Sequence, residues 1–576
     1  MIIQSLIQHY EDLLAKDIIA PLGWTASNMS FGLQLDPQGD IIALLPLGLP
    51  EVNGKGIVAQ QRILPAPVKR AIGIAPNFLW DNSSYIFGFD GKGKPLRTNQ
   101  CFEASKLFHL SLLENISDPF AEAVCSFFRS WDTRRAREHP LIKPFLREAG
   151  LWGNIVFMQG ILFADQNEAL RDAWENYYYG ENEYGTPMRD LASGRLAIPA
   201  ATHPSIKNVR GSLPSGAALV SFNAPAFCSH GHKRNLNAPV SQHSAFAYTS
   251  ALNYLLTDNA HRHYVGDDTI VCWAEGAEQA PQSIFSLALG AEEGYDASEA
   301  TDIRATLHKL ASGETIIWNN EPVNPDRQFY VLGLSPNSAR ISVRLFHQDR
   351  FGEILNNLQR HFDELEIVKP VRVQRSLLPL CAVLNGATRS HRTANPRMAG
   401  DTLRAILMGT KYPSTLYQAV LNRIFADKDI SYARASIIKA YLLRNAGLEV
   451  CQNGSLIRLN EDITYQPYVL GRLFSLLEDL LYETSGNYTP RIMAKYLRSA
   501  CMTPALAFPT LIKMAEKRSR FLPNGKHTFP EWNNILKKFI PTNYASHHSL
   551  HDQGVFLLGY YHQSFERNEK GIDQRR

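Results

Sequence analysis

From Thr402 to the C-terminus the apolar residues recur at spacings of three and four, segment after segment, which is the period of a helix with one buried face. The clearest stripe is Leu470, Leu473, Phe474, Leu477, Leu480 and Leu481 within Tyr468–Glu483. Further helices are expected at Thr402–Met408, Ser414–Phe425, Tyr432–Arg444, Arg491–Cys501, Pro504–Arg518, Pro530–Phe539 and Leu550–Asn568. Thr503-Pro504 reads as an N-cap followed by proline at the first helical position. An all-α final third rules out one uniform sheet fold for the chain.

The residues before it read differently. An amphipathic helix is expected within Met1–Ala20, strands at Phe31–Leu35, Ile41–Leu45, Tyr85–Phe89 and Ile155–Phe163, and helices over Cys101–Phe128, split by Asp118-Pro119, and Gln166–Tyr178. Proline, glycine and serine collect between Gly185 and Gly216, the mark of a long loop or a module boundary. Ala217–Phe222 and Thr269–Ala274 read as strands around a helix at Ser244–Leu256, and Phe329–Leu334 pairs with Arg340–Leu345 through a turn at Ser335-Pro336-Asn337. The expected class is α+β: a mixed N-terminal α/β region followed by an all-α C-terminal bundle. The expected regions are 1–200 and 201–384, both α+β, 385–460, a helical connector, and 461–576, a helical bundle.

Composition narrows the class further. With 45% hydrophobic and 20% charged residues among 576, a disordered, collagen-like or rod-like chain is disfavoured. Lys plus Arg is 59 and Asp plus Glu 55, and the resulting +4 neither demands nor excludes nucleic acid. Glu11, Asp12, Lys16 and Asp17 interrupt what a signal peptide would need as an uncharged core, and the longest apolar run, Ile41–Pro50, is broken by Pro46 and Gly48. No membrane association is expected. Seven cysteines, never spaced CxxC, argue against a disulfide framework, so the expected setting is a reducing cytoplasm.

Catalytic motifs are sparse. Gly91-Lys92-Gly93-Lys94 lacks the spacing that wraps phosphates in backbone amides, and Gly54-Lys55-Gly56-Ile57-Val58-Ala59 follows a proline turn where a dinucleotide motif needs a strand. Gly266-Asp267-Asp268 reads as turn residues. Cys228-Ser229-His230-Gly231-His232 offers metal-binding side chains at alternate positions without the usual zinc spacing. His551-Asp552 is similar to the pair of metal phosphohydrolases, yet Asp552 serves a helix dipole equally well. No catalytic residue, metal or cofactor is assigned. A metal-dependent nuclease built on Cys228–His232 or His551-Asp552 is the competing class, and a small-molecule enzyme with a pocket at Asn223–Asn237 is a third reading.

Three basic or polar segments carry more information. In the block Pro67–Asn82, Lys69 and Arg70 can hold phosphate and Asn77 and Asn82 can read base edges, while Phe78, Leu79 and Trp80 equally suit a core anchor. The stretch Ser221–Val240 is dense in amides, hydroxyls and bases; Asn223, Lys233, Arg234, Asn235 and Asn237 are its candidate sugar-phosphate contacts, and turn formation is the structural alternative. Arg491, Lys495 and Arg498 recur at helical spacings of four and three, followed by Lys513, Lys517, Arg518 and Arg520 against Glu516 alone. Such a face can neutralise phosphates or simply be solvated.

Seven ordered blocks then match a known pattern: Met1–Leu6, Gly73–Asn82, Val220–Phe227, Leu236–Ser241, Leu332–Asn337, Leu470–Phe474 and Leu558–Gln563. Together, from end to end, they resemble the Csd-type large subunit of the type I-C CRISPR Cascade complex. The resemblance implies a non-catalytic subunit of an RNA-guided DNA-surveillance complex that reads the short flanking motif (PAM) of its target. Its implied partners are CRISPR guide RNA, target double-stranded DNA, other Cascade subunits and a recruited helicase-nuclease. It also implies that region 461–576 is similar to the Cascade small subunit.

Overall fold

The computed structural model describes residues 1–50, 57–68, 73–90, 95–146, 153–180, 186–289, 305–310, 312–370, 373, 377–389, 394–447, 456–483, 492–519 and 544–573. The chain is α+β and divides into two compact units: Met1–Pro204 with Val220–Ala251, and Ser205–Leu219 with Leu252–Arg576. The expected helix at Pro530–Phe539 lies outside the described residues. No described helix is long and apolar enough to cross a membrane. Cys101, Cys125, Cys228, Cys272, Cys381 and Cys501 are free thiols, and Cys451 lies outside the described residues.

The first unit is built on a mixed sheet in the order Ile41–Pro46, Phe31–Leu35, Asn154–Gln159, Trp80–Asn82, with Leu162–Phe163 also paired to the central strand. Phe31–Leu35 runs parallel to Asn154–Gln159, with Phe31 opposite Ile155 and Leu33 opposite Phe157. The central strand is buried on both faces: Ile155 and Phe157 enter the main core, while Val156 joins Met29, Leu64 and Trp80. Helices Pro95–Leu113 and Pro119–Ser130 supply Phe102, Phe120, Val124, Phe127 and Phe128 to that main core. Asp118 starts the second of them by accepting from the N–H groups of Phe120 and Ala121 at 2.9 and 3.0 Å, with Pro119 at the first position. The turn before Ile41 must be glycine at Gly39, because φ is +87° and a Cβ there would lie 2.5 Å from the Phe127 nitrogen.

Tyr85–Phe89 is not a strand. Asn82 caps Ser84 at 3.0 Å and Ser83–Ile86 becomes a one-turn helix that buries Tyr85 and Ile86, so aromatic β-propensity yields to a local cap.

The second unit opens with an antiparallel sheet in the order Arg262–Val265, Asp268–Ala274, Gln328–Asn337, Arg340–Arg350. Gly266-Asp267 is the two-residue turn of its first hairpin, between Val265 and Asp268. Ser335-Pro336-Asn337 continues its strand rather than turning; the ladder runs on to Asn337 opposite Arg340, and Ser338, with φ of +55°, makes the turn. Ala217–Phe222 forms only isolated bridges, since Ala217 pairs with Ile206 and Ala218 with Arg340, leaving no continuous ladder.

Helix Phe351–Leu365, which follows the sheet directly, buries Phe351, Ile354, Leu355, Leu358, Phe362 and Leu365. Lys439 of helix Tyr432–Ala446 donates to the Glu364 carbonyl at 3.0 Å, closing that helix end with a cation. A single apolar core then runs from Val265 in the sheet to Tyr561 in helix Leu550–Asp573. The stripe Leu470, Leu473, Phe474, Leu477, Leu480 and Leu481 of helix Gln466–Glu483 is fully within it, each side chain contributing about 1.5–3 kcal/mol relative to exposure. Helix Pro504–Ser519 starts with proline at its first position, and the Thr503 carbonyl before it accepts the Ala507 N–H at 3.4 Å, but the Thr503 hydroxyl does not cap this helix: it donates back to the Ser499 carbonyl at 3.1 Å, at the end of helix Ile492–Met502.

Candidate nucleic-acid interface

In the first segment, Lys69 and Arg70 lie outside the described residues. Asn77 is only 4% exposed and therefore not presented on an exposed loop. Its Oδ1 accepts the Val68 N–H at 3.1 Å, and its own N–H donates to Asp81 Oδ2 at 2.9 Å, so the amide clamps the loop on itself. Asn82 is half-buried and occupied as a helix cap. Phe78, Leu79 and Trp80 are core residues.

Leu79 holds a left-handed φ of +67°, a conformation that costs about 1–2 kcal/mol for a residue with a Cβ. Two bonds enforce it: Leu79 N–H donates to His109 Nε2 at 2.8 Å, and the Leu79 carbonyl accepts from Phe157 N–H at 3.2 Å. His109 Nδ1 lies 2.7 Å from the Ser105 carbonyl, which fixes the neutral tautomer with the proton on Nδ1. Burial lowers the His109 pKa to about 4. Residues Asn77–Asn82 are thus spent on the fold, and nothing in their sequence distinguishes a buried amide from a base-reading one.

The second segment is an outward loop. Asn237 organises it: Oδ1 accepts Ser229 N–H at 2.8 Å, and Nδ2 donates to the carbonyls of His232 and Arg234 at 3.1 and 2.8 Å. Asn235 is 4% exposed, with Nδ2 turned to the Ala200 carbonyl at 3.4 Å. Asn223, His230, His232, Lys233 and Arg234 are exposed, and Phe227 and Leu236 stand out at 45% and 40%. Neither Lys233 nor Arg234 has a carboxylate within ion-pair distance among the described residues. The loop thus separates its asparagines by role, with Asn235 and Asn237 holding the backbone while Lys233 and Arg234 project free charge. Sequence reading missed the two apolar side chains at its rim, because composition does not report exposure.

Cys228 is half-buried and its thiol donates to the Ala224 carbonyl at 3.7 Å. Among the described residues no three His, Cys, Asp or Glu side chains gather as a cation site. Asp552 is taken up locally: it accepts from Ser549 Oγ at 2.8 Å and Ser549 N–H at 3.0 Å, completing a capping box, and from the Tyr465 hydroxyl.

In the third segment Arg491 and Arg520 lie outside the described residues. Lys495 and Arg498 are exposed on one face of helix Ile492–Met502, while Ile492 and Leu497 point into the core. Lys513 and Lys517 are exposed on the next helix, Pro504–Ser519, with Arg518 half-buried. Arg498 lines a recess of about 250 Å³ with the amides of Gln418 and Asn422.

A family model for CRISPR-associated proteins (Cas_Csd1) matches residues 6–567 of the chain. The chain therefore belongs to the CRISPR-associated Cas_Csd1 family. A search of curated proteins finds no match.

Proposed function

We propose that this chain is the non-catalytic large subunit of an RNA-guided Cascade surveillance complex of type I-C, which recognises the PAM of target double-stranded DNA and stabilises the unwound R-loop. Its partners are the guide RNA, the other Cascade subunits and a helicase-nuclease that does the cutting, all in the cytoplasm. The family match over residues 6–567 carries this reading. The exposed cations Lys233 and Arg234 of the 223–237 loop and Lys495 and Arg498 support it, since guanidinium and ammonium groups with no carboxylate within ion-pair distance among the described residues suit phosphodiesters.

The test is co-expression of the full chain with guide RNA and the companion subunits, followed by target-duplex titration of the purified assembly. Guide RNA and subunits should co-purify with the chain. Lys233→Ala with Arg234→Ala should weaken duplex binding at every flanking sequence and flatten its salt dependence by up to about two phosphate equivalents. A chain that purifies alone, with no retained RNA, overturns the proposal.

A further inference from the structure

Within the long Gly185–Gly216 stretch lies a short segment whose backbone is tied down on every side. Ile206 and Val209 are buried, while Lys207, Asn208 and Arg210 face solvent. Lys207 N–H donates to Asn253 Oδ1 at 2.8 Å, and Asn253 Nδ2 returns a bond to the Ser205 carbonyl at 3.1 Å. Ile206 exchanges two backbone bonds with Ala217, and Arg210 N–H donates to Thr269 Oγ1 at 3.0 Å. Asn208 at φ +63° and Gly211 at φ +78° make the bends on either side of Val209 and Arg210. A backbone held this way fixes where its outward side chains begin.

Beside it, Tyr264 on strand Arg262–Val265 is 46% exposed between buried neighbours His263 and Val265. The Arg210 and Arg262 guanidinium carbons lie 5.2 and 5.4 Å from its ring centroid. The two arginines differ in their hydrogen bonds. Arg262 donates from Nη1 to the Leu256 carbonyl at 2.8 Å and from Nη2 to Asn259 Oδ1 at 2.7 Å, so it is a fixed prop. Among the described residues the Arg210 guanidinium has no hydrogen-bond acceptor, and neither it nor Lys207 has a carboxylate within ion-pair distance. Exposed Asp267, at the hairpin turn beyond Tyr264, bounds the patch with the opposite charge.

Arg210 next to a half-exposed aromatic ring, with exposed Lys207 three residues earlier on the same tethered segment, offers partners for the two chemistries a nucleotide presents, phosphate to the cations and a base to the ring. We propose that Lys207, Arg210 and Tyr264 form a contact for single-stranded nucleic acid, the cations holding successive phosphates and Tyr264 stacking one base. A paired duplex keeps its base faces stacked and cannot use the ring, which is why the single strand is the occupant. The inference rests on the reading of the chain as a nucleic-acid-binding subunit, and adds a site separate from the 223–237 loop and the Lys495–Arg498 face.

The full chain would be titrated with labelled oligo-dT, oligo-U and a blunt duplex across a salt series, as wild type, as Lys207→Ala with Arg210→Ala, and as Tyr264→Leu and Tyr264→Phe. The double substitution should weaken single-strand binding and reduce the salt slope by about 1.4, or ~0.7 for each phosphate lost. Tyr264→Leu should cost about tenfold on the strand. Tyr264→Phe keeps the ring and should bind as wild type, and duplex binding should not change in any variant. Loss confined to oligo-dT supports a displaced DNA strand as the occupant, and loss confined to oligo-U supports the guide. An unchanged slope with normal melting, equal losses on strand and duplex, or Tyr264→Phe as weak as Tyr264→Leu overturns the site. Assembly with guide RNA is read separately: if wild type assembles and binds while the variants lose nothing, this site alone fails, and if wild type does neither, the broader reading fails with it.

Discussion

His109 stands in for a backbone carbonyl, accepting the Leu79 N–H that no strand partner reaches. Its ring lies 4.6 Å from Phe128 and 5.3 Å from Phe78, centroid to centroid, and a charge there would be stripped of water. The native group therefore titrates near 4 against an ordinary value near 6.5. Below pH 6.5 the unfolded chain binds a proton that the native chain refuses, so this contribution is intact above pH 6.5 and is lost as pH falls toward 4. Burial depresses His263 and His562 to about 4 and His361 to about 3 as well, so the effect has the same sign at several sites. Urea midpoints should drop between pH 7 and pH 5, and His109→Gln, which keeps an acceptor for Leu79, should show a smaller drop. An identical pH dependence in the two proteins would remove His109 from this account.

Helix Gln466–Glu483 and helix Leu550–Asp573 approach so closely that two glycines are obligatory. A Cβ on Gly471 would lie 1.9 Å from the Phe556 carbonyl oxygen, and one on Gly559 would lie 2.2 Å from that of Tyr468. Alanine would gain about 1 kcal/mol of helix propensity at either site. The clash is with backbone, however, and forcing such helices apart costs about 1–3 kcal/mol or more, so the steric term wins. Gly471→Ala and Gly559→Ala should each lower the melting temperature; an unchanged or raised value would mean that the helices separate freely. The cationic face of helix Ile492–Met502 behaves oppositely. Lys495→Ala with Arg498→Ala should cost within about 0.5 kcal/mol each, since both are exposed, yet flatten the salt slope of target binding by up to about two phosphate equivalents. Normal melting with an unchanged salt slope would return that face to plain solvation.

At the scale of the molecule, each unit has its own core, and the residues first considered for metal chemistry are distributed among structural tasks. Asp552 completes a capping box, the Cys228 thiol faces a carbonyl, and His230 and His232 face solvent. We expect purified full-length protein to leave a labelled duplex intact in Mg²⁺ or Mn²⁺, since the proposed function assigns cutting to a recruited partner. Metal-dependent cleavage abolished by a point substitution in this chain would reverse that expectation.

The α+β class and most helices were legible from the sequence, because 3.6-residue periodicity and caps such as Asp118-Pro119 act within a few residues of one another. Periodicity placed Leu470 to Leu481 on a buried stripe before any partner was known. What the tertiary structure alone decided is which polar side chains are spent on the fold. Asn77, Asn235 and Asn237 carry no local signal of their role, yet the first two are buried and Asn237 is held by three loop backbone groups. Likewise Arg210 and Tyr264 come together only because a tethered loop meets an edge strand more than fifty residues away in sequence. Burial and hydrogen-bond satisfaction depend on long-range packing, whereas propensity does not, and that difference separates the readable fold from the unreadable site.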